Sequence, residues 1–170
     1  SWRYFAYPYG EYSYDALAWL HTNNFIGFSQ QSGAVGIYSE LSALPRFPAS
    51  QPYDKLTSLA DKLNSLAVKT TATAQPTQLI FKYQQLNSIN FNFDLQDIKK
   101  SQLSCYISGM GKQKINWQKD GSFIINFNKP LPIGRVRANC TAPSLSKIGR
   151  FYWYSHPWFI LKQSGDWYHL

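Results

Sequence analysis

The period of the hydrophobic pattern changes near residue 78, and this change limits the possible folds more than any other feature. Before it, apolar residues recur at helical spacing, as in the segment that begins at Pro52. Beyond it, apolar and polar residues alternate in short runs separated by turn signals, among them Asp120-Gly121. About seven such runs are typical of an antiparallel, Ig-like β-sandwich. The sequence therefore predicts an α+β protein that ends in a β-sandwich module.

Two helices are predicted before the change of period. Residues 14–21 carry apolar side chains at helical spacing, with Ser13 placed as the N-cap and Asn23-Asn24 at the end. The second helix is predicted to begin at Pro52, and its apolar stripe runs from Tyr53 to Ala67. A short apolar strand, "FIGFSQ", is predicted between them.

Composition and charge divide the chain into segments. Residues 71–78 are low in hydrophobicity and are predicted to be a linker between a first unit, 1–70, and a sandwich, 79–163, with a tail at 164–170. Residues 1–75 carry five basic and five acidic side chains, whereas residues 76–170 carry twelve basic and four acidic ones. The whole net charge of +8 therefore falls in the second part. No apolar run is long enough to span a membrane, and no signal peptide is visible.

The two cysteines are each in phase with the apolar residues of a predicted strand. Cys105 alternates with Leu103 and Ile107, and Cys140 lies in the same phase as Val136 and Ala138. Both side chains are therefore expected to face inward, where a disulfide can form; two buried free thiols are the alternative. A disulfide favours an oxidising compartment, periplasmic or extracellular.

Aromatic residues are concentrated at a Pro-Tyr-Gly corner near the beginning of the chain, "YFAYPYGEYS". Pro8 fixes its own φ, and Gly10 allows a tight turn without a side chain in the way. Tyr7, Tyr9 and Tyr12 surround this turn with flat rings that carry hydroxyl groups. These rings either form a binding surface or cover a small core.

The corner resembles a motif of a known enzyme family. "FAYPYGEY" resembles the third sequence motif of polysaccharide deacetylases of the NodB type, carbohydrate esterase family 4. "GFSQQSGAVG" and "LPRFP" are similar to the last two strand-loop segments of that family's barrel, and "RVRANCTAPS" with "GRFYWYSHPW" is similar to a β-rich C-terminal extension. The resemblance implies that residues 1–70 are the C-terminal remnant of a deformed (β/α) barrel, and that an N-terminal part is missing or another surface covers the gap.

The resemblance also implies an activity for the intact parent protein. The parent would hydrolyse acetyl groups of a surface or secreted polysaccharide by metal-activated water, with a divalent metal expected to be zinc. The catalytic assignment is Tyr9, whose backbone N–H would support the oxyanion, on a corner shaped by Pro8 and Gly10. Tyr7 and Tyr12 are assigned to substrate binding.

This chain departs from the family pattern where the metal should bind. The Thr-Phe-Asp-Asp-Gly and His-(Ser/Thr)-x-x-His motifs are absent, and an arginine common in the family is Ala6 here. No two of His21, His156 and His169 are spaced to share a metal. No metal ligand or cofactor is therefore predicted in this chain, and the chain alone is expected to be inactive.

The alternative prediction is a non-catalytic carbohydrate-binding module. Successive rings in "GRFYWYSHPW" must fall on opposite faces of a strand, and Trp153 or Trp158 is expected to be exposed and to bind the polysaccharide. Nucleic-acid binding is not favoured, because the basic residues are scattered and match no known motif. The positive charge instead predicts attraction to an anionic glycan or cell surface. Self-association through the incomplete barrel is a further expected partner interaction.

Overall fold

The computed structural model describes residues 3–169, which form two short α-helices and twelve β-strands. The helices are α1 (Tyr14–Thr22) and α2 (Leu56–Leu63). The strands are β1 (Arg3–Ala6), β2 (Phe25–Phe28), β3 (Leu66–Ala67), β4 (Thr70–Gln75), β5 (Ile80–Lys82), β6 (Ser88–Phe93), β7 (Ser104–Ile107), β8 (Gly111–Gln113), β9 (Asn116–Trp117), β10 (Phe123–Asn126), β11 (Gly134–Pro143) and β12 (Phe151–Leu161).

The N-terminal unit is a small βαβ arrangement. β1 and β2 pair in parallel and α1 connects them. The helix begins as predicted, because the Ser13 side chain accepts a hydrogen bond from the Ala16 N–H, and Asn23 caps its end. Gly27 lets β2 approach the following segment, since a Cβ there would lie 2.1 Å from the Ser42 carbonyl oxygen. The Leu44 N–H donates to the Gly27 carbonyl across this contact.

The remaining strands form two sheets around one core, an arrangement compatible with the predicted β-sandwich. One sheet has the order β4-β6-β10-β9, and the other has the order β3-β12-β11-β7-β8, with β5 also paired to β12. Alternate side chains of both sheets fill the space between them, as the period of 2 predicts. The largest fully buried side chains of this core are Trp158, Phe91, Phe123, Ile89 and Ile125.

The predicted disulfide is confirmed. Cys105 and Cys140 are directly opposite each other on β7 and β11, and their sulfur atoms are bonded. Both residues are fully buried in the sandwich core. The bridge therefore fixes the register of two strands in the middle of the larger sheet.

Strand β12 is paired over nearly its whole length on one side and only near its ends on the other. Its partner β11 pairs with all residues from Phe151 to Ile160. On the opposite edge, β3 pairs with Tyr152 and Trp153, and β5 pairs with residues 159–161. Between these two short strands the chain leaves for the second sheet as β4. Residues 154–158 of β12 consequently have no strand beside them on this edge within the described chain.

The N-terminal unit packs on the side of the larger sheet that faces away from the sandwich core. Tyr7, Tyr12 and Leu20 form a second buried cluster with Phe159 of β12. Polar contacts also cross this boundary, since the Arg137 guanidinium donates to the Gln30 carbonyl at 3.2 Å. The two parts of the chain therefore enclose space along β12.

The predicted barrel remnant is wrong. Two parallel strands, β1 and β2, form a separate sheet of their own, and the described residues contain no barrel. The other described strands, β3 to β12, belong to two mainly antiparallel sheets, in which β3 and β5 pair in parallel with β12.

Two predicted segments also differ in detail. Most of the predicted linker, 71–78, belongs to β4, which pairs with β6; the proposed division into domains stays a prediction. The second helix is shorter than predicted, and its apolar stripe is largely unpacked, with Leu56 82% and Leu63 75% exposed. Lys62 is buried instead, because its ammonium donates to the Pro48 carbonyl at 2.7 Å.

Neither helix of residues 3–169 has the length and apolar character that a transmembrane helix requires.

Removing the disulfide should destabilise the sandwich substantially. The variant C105A/C140A is expected to lose about 3 to 4 kcal/mol of unfolding free energy, because the unfolded chain is no longer cross-linked. The bridge joins residues separated by 35 positions. Urea unfolding followed by circular dichroism measures this change. Reduced and alkylated wild-type protein is the control, and equal midpoints for oxidised and reduced protein would contradict the expectation.

Candidate functional site

The Pro8–Gly10 corner forms a single tight turn. Tyr9 and Gly10 both have positive φ, 55° and 71°, inside a 3-10 turn. A Cβ at Gly10 would lie 2.5 Å from the Gln30 Cβ, so only glycine fits there. The turn predicted from Pro8 and Gly10 is therefore present.

The tyrosines of the corner have different environments. Tyr7 is buried, and its hydroxyl donates to the Ser42 carbonyl at 2.8 Å. Tyr9 is 69% exposed and lines a cavity of about 250 Å³ together with Glu11, Arg135 and His169. The Arg135 guanidinium donates to the Tyr9 carbonyl. Tyr7 is thus a core residue, and Tyr9 lies beside a separate small cavity.

The two tryptophans assigned to substrate binding also differ. Trp158 is 0% exposed in the sandwich core, so the expected exposure is wrong for this residue. Its ring packs against His156 and Phe127, since even-numbered residues of β12 face the second sheet. Trp153 is half-buried on the opposite face, in edge-to-face contact with Phe47 at 5.1 Å.

Tyr12 and Trp153 line the same cleft, which is larger than the cavity beside Tyr9. Its volume is about 740 Å³, within the range of roughly 300–1,000 Å³ usual for small-molecule sites. One wall comes from α1 and residues 31–45, another from β4, and the floor from residues 153–157 of β12. We call this cavity the β12 cleft.

The unpaired part of β12 and a set of small side chains account for the space. β3 ends and β5 begins at the two ends of the cleft, where Ala67 and Leu79 line it. Because no strand lies between them, the floor is the free edge of β12. The small residues of the walls include Gly33, Ala34, Ala43, Ala72 and Ala74.

Three residues that line the β12 cleft have a buried polar atom without a hydrogen-bond partner in the described residues. These atoms are Oε1 of Gln31, Nε1 of Trp153 and Nε2 of His156. The other end of the Gln31 amide is engaged, because its Nε2 donates to the Tyr12 hydroxyl at 2.8 Å. An unsatisfied buried polar atom costs roughly 1–3 kcal/mol. Three such residues in the lining of one cavity favour a polar ligand over an apolar one.

Burial favours the neutral forms of His156, Tyr12 and Tyr154, three ionisable residues that line the cleft. Burial lowers the pKa of His156 from 6.5 to about 4, so its imidazole is uncharged at neutral pH. Burial raises the pKa of the Tyr12 and Tyr154 hydroxyls above their ordinary value. The Tyr154 hydroxyl lies 3.4 Å from Nδ1 of His156.

The charge excess of the protein lies outside this cleft. No Lys or Arg is among its described lining residues, and Glu40 is the one acidic residue there. The Glu40 carboxylate already accepts hydrogen bonds from the N–H and the hydroxyl of Ser42. The expected attraction to an anionic surface and the expected self-association stay predictions.

The sequence did not predict Gln31, Ser155 or His156 as site residues. One signal was available in "YSHPW": Pro157 lacks an N–H, and a proline within a strand indicates a free edge. The gap between β3 and β5 could not be read from the sequence, because β3 has two residues and β5 three.

Comparisons with known proteins give little support for an identity. No family model and no curated protein matches the chain. Among solved structures, PcoC, a methionine-rich copper-resistance protein from Escherichia coli, is 17% identical with a TM-score of 0.38, covering 56% of this chain and 100% of its own. CopC from Methylosinus trichosporium OB3b is 12% identical with a TM-score of 0.39, covering 54% and 91%. Likeness at this level carries no inference about function.

The predicted membership of the polysaccharide deacetylases is wrong. No family model or curated protein supports it, and residues 3–169 do not form a barrel. The deacetylase function and the zinc of a parent enzyme are therefore wrong as well, and the carbohydrate-binding alternative gains no support. The oxyanion role of the Tyr9 N–H loses the resemblance on which it rested. Within residues 3–169, no three His, Cys, Asp or Glu side chains are grouped to hold a metal.

The buried His156 should make stability depend on pH. Its folded pKa of about 4 lies below the unfolded value of 6.5, so the unfolded state binds more protons between these values. Above pH 6.5 His156 does not lower the free energy of unfolding. Between pH 6.5 and pH 4 the free energy of unfolding falls as the pH is lowered, and below pH 4 His156 lowers it no further. Wild-type protein is expected to lose about 2 kcal/mol between pH 7 and pH 5, measured by urea unfolding.

The matched variants are His156→Gln and His21→Gln. The first should flatten the pH dependence, because the buried titrating ring is gone. The second is the control for removing a histidine at an exposed position, and its pH dependence should be steeper than that of His156→Gln. An unchanged slope in His156→Gln would contradict the assignment.

Proposed function

We propose that the protein binds a small, uncharged organic ligand with hydrogen-bonding groups in the β12 cleft. The observation that carries the proposal is that three residues lining one cavity of about 740 Å³, Gln31, Trp153 and His156, each have a buried polar atom without a partner in the described residues. Cavities with mainly apolar walls and a few convergent polar groups are the usual form of a ligand site.

The lining favours an uncharged ligand. An anion would find no Lys or Arg in the cleft, and a cation would find one carboxylate that is already hydrogen-bonded. Burying an unpaired charge is costly. A ligand without net charge avoids this cost and keeps its hydrogen bonds.

The polar atoms favour a ligand that both donates and accepts hydrogen bonds. The Gln31 Oε1 is an acceptor, and the Trp153 Nε1–H is a donor. The neutral imidazole of His156 can take either role at Nε2, depending on its tautomer. A primary or secondary amide offers both kinds of group in one small unit.

We also propose that the protein works in an oxidising compartment, the periplasm or the cell exterior. The buried Cys105–Cys140 disulfide supports this location, because such bridges persist where thiols are not kept reduced.

Pairs of compounds that differ in charge test the binding proposal. Benzamide and nicotinamide are expected to shift the Trp153 indole N–H resonance in ¹⁵N-labelled protein, because Trp153 lines the cleft. Benzoate and nicotinate, at equal concentration, should shift it much less. The resonance is assigned with Trp153→Phe. No saturable shift with either amide, or equal shifts with the carboxylates, would contradict the proposal.

Filling the cleft should abolish this binding without loss of the fold. Ala72 lines the cleft from an exposed position on β4, so Ala72→Trp places a large ring in it. The affinity for benzamide is expected to fall at least about tenfold, since the ligand and the ring compete for one volume. Thr71→Trp, at the neighbouring exposed position that does not line the cleft, is the control and should bind as the wild type. Equal affinity in both variants would place binding elsewhere.

A further inference from the structure

We propose that the natural ligand of the β12 cleft is a short, uncharged peptide that binds as an extended strand along the free edge of β12. This inference rests on the proposed function, and it adds the class of ligand. The peptide would occupy the strand position that β3 and β5 leave open between them.

The orientation of the β12 backbone supports main-chain pairing. The Phe159 N–H donates to the Leu79 carbonyl, and the Leu161 carbonyl accepts from the Tyr83 N–H. Backbone groups of alternate residues point to the same side of a strand. Ser155 and Pro157 are separated from Phe159 and Leu161 by even numbers of residues. The Ser155 N–H and the carbonyls of Ser155 and Pro157 therefore point toward the cleft.

Proline at position 157 agrees with this orientation. A proline at a residue whose N–H faces β11 would remove a hydrogen bond from the ladder with β11. Pro157 instead lies at a residue whose backbone faces the free edge, so it removes only an edge donor. The cleft edge therefore offers one donor, the Ser155 N–H, and two acceptors. Unpaired strand edges are the surfaces that bind extended peptides by strand addition.

The geometry of the gap limits the length of the peptide. Residues 154–158 lie between the pairing of β3 and that of β5, a distance of about 17 Å at roughly 3.3 Å per residue. β3 and β5 close both ends, so the position takes about three to five residues. This closure favours a short peptide with blocked, uncharged ends over a segment within a long chain.

The walls are suited to peptide side chains. The side chains of an added strand would alternate between the wall formed by the N-terminal unit and the wall formed by β4. Tyr12 and Tyr38 lie on the first wall, and Ala72 and Ala74 on the second. The alanines leave room for an apolar side chain, and the absence of Lys and Arg from the described lining disfavours an anionic one.

Backbone methylation of a peptide tests this inference. The probe is acetyl-Ala-Leu-Ala-amide, and its variants carry one N-methyl group at the first, second or third residue. Binding is measured from the shifts of ¹⁵N–¹H resonances in the full chain. Only alternate N–H groups of an added strand face β12. Methylation of an N–H that faces β12 should weaken binding about tenfold or more, and methylation of an N–H that faces away should weaken it less than about threefold.

Variants of Ser155 test the same contact from the protein side. Ser155→Pro removes the edge N–H and should weaken peptide binding about tenfold. The variant is expected to fold, because a strand edge tolerates proline. Ser155→Ala keeps the N–H and loses only the hydroxyl that donates to Asn139, so its affinity should change less than about threefold. Circular dichroism verifies the fold, and the methylated peptides decide the question if Ser155→Pro does not fold.

The possible failures are distinguishable. If benzamide binds the cleft and the peptide does not, or if methylation at every position has the same effect, the peptide inference is wrong and the proposed function stands. If neither benzamide nor the peptide binds, both are wrong. If the peptide binds Ala72→Trp as well as the wild type, it does not bind in this cleft.

Discussion

Strand β12 is the element on which the rest of the structure depends. Its even-numbered side chains, such as Trp158, belong to the sandwich core, while Phe159 belongs to the second cluster under the N-terminal unit. Its ladder with β11 ties it to the disulfide-bonded centre of the sheet. Because β12 is fixed on both faces and along one edge, its other edge can remain partly open without loss of order.

The β12 cleft follows from how the chain uses that open edge. β3 and β5 pair with the two ends of the edge, and the intervening segment crosses to the other sheet as β4. β4 is itself an edge strand, mostly exposed and rich in Thr and Ala, so it adds little bulk to the wall. The N-terminal unit then covers the opposite side, with Tyr12 and Gln31 held together by a hydrogen bond. A strand-sized space with a defined floor is the result.

The sequence predicted the local elements better than their assembly. Helix α1 with its Ser13 cap, strand β2, the hairpin at Asp120-Gly121 and the inward-facing Cys105 and Cys140 all follow from short-range rules and are present. The prediction of a barrel remnant was wrong because the short motifs around Pro8 and Gly10 specify a turn and not the sheet that surrounds it. The β12 cleft could not be predicted, because it arises from an interruption between two very short strands. The buried states of Trp158 and His156 depend on which face of β12 meets the second sheet, and periodicity alone does not decide that.

The central claim is that the middle of the β12 edge is free in the unliganded protein and pairs with a ligand. Amide hydrogen exchange of Ser155 and Phe159 tests it most directly, since both N–H groups point to the same edge. The account predicts that Phe159, which donates to Leu79, is protected, that Ser155 exchanges much faster, and that acetyl-Ala-Leu-Ala-amide slows Ser155 alone. Equal protection of the two amides without peptide, or a Ser155 rate that bound peptide leaves unchanged, would contradict it.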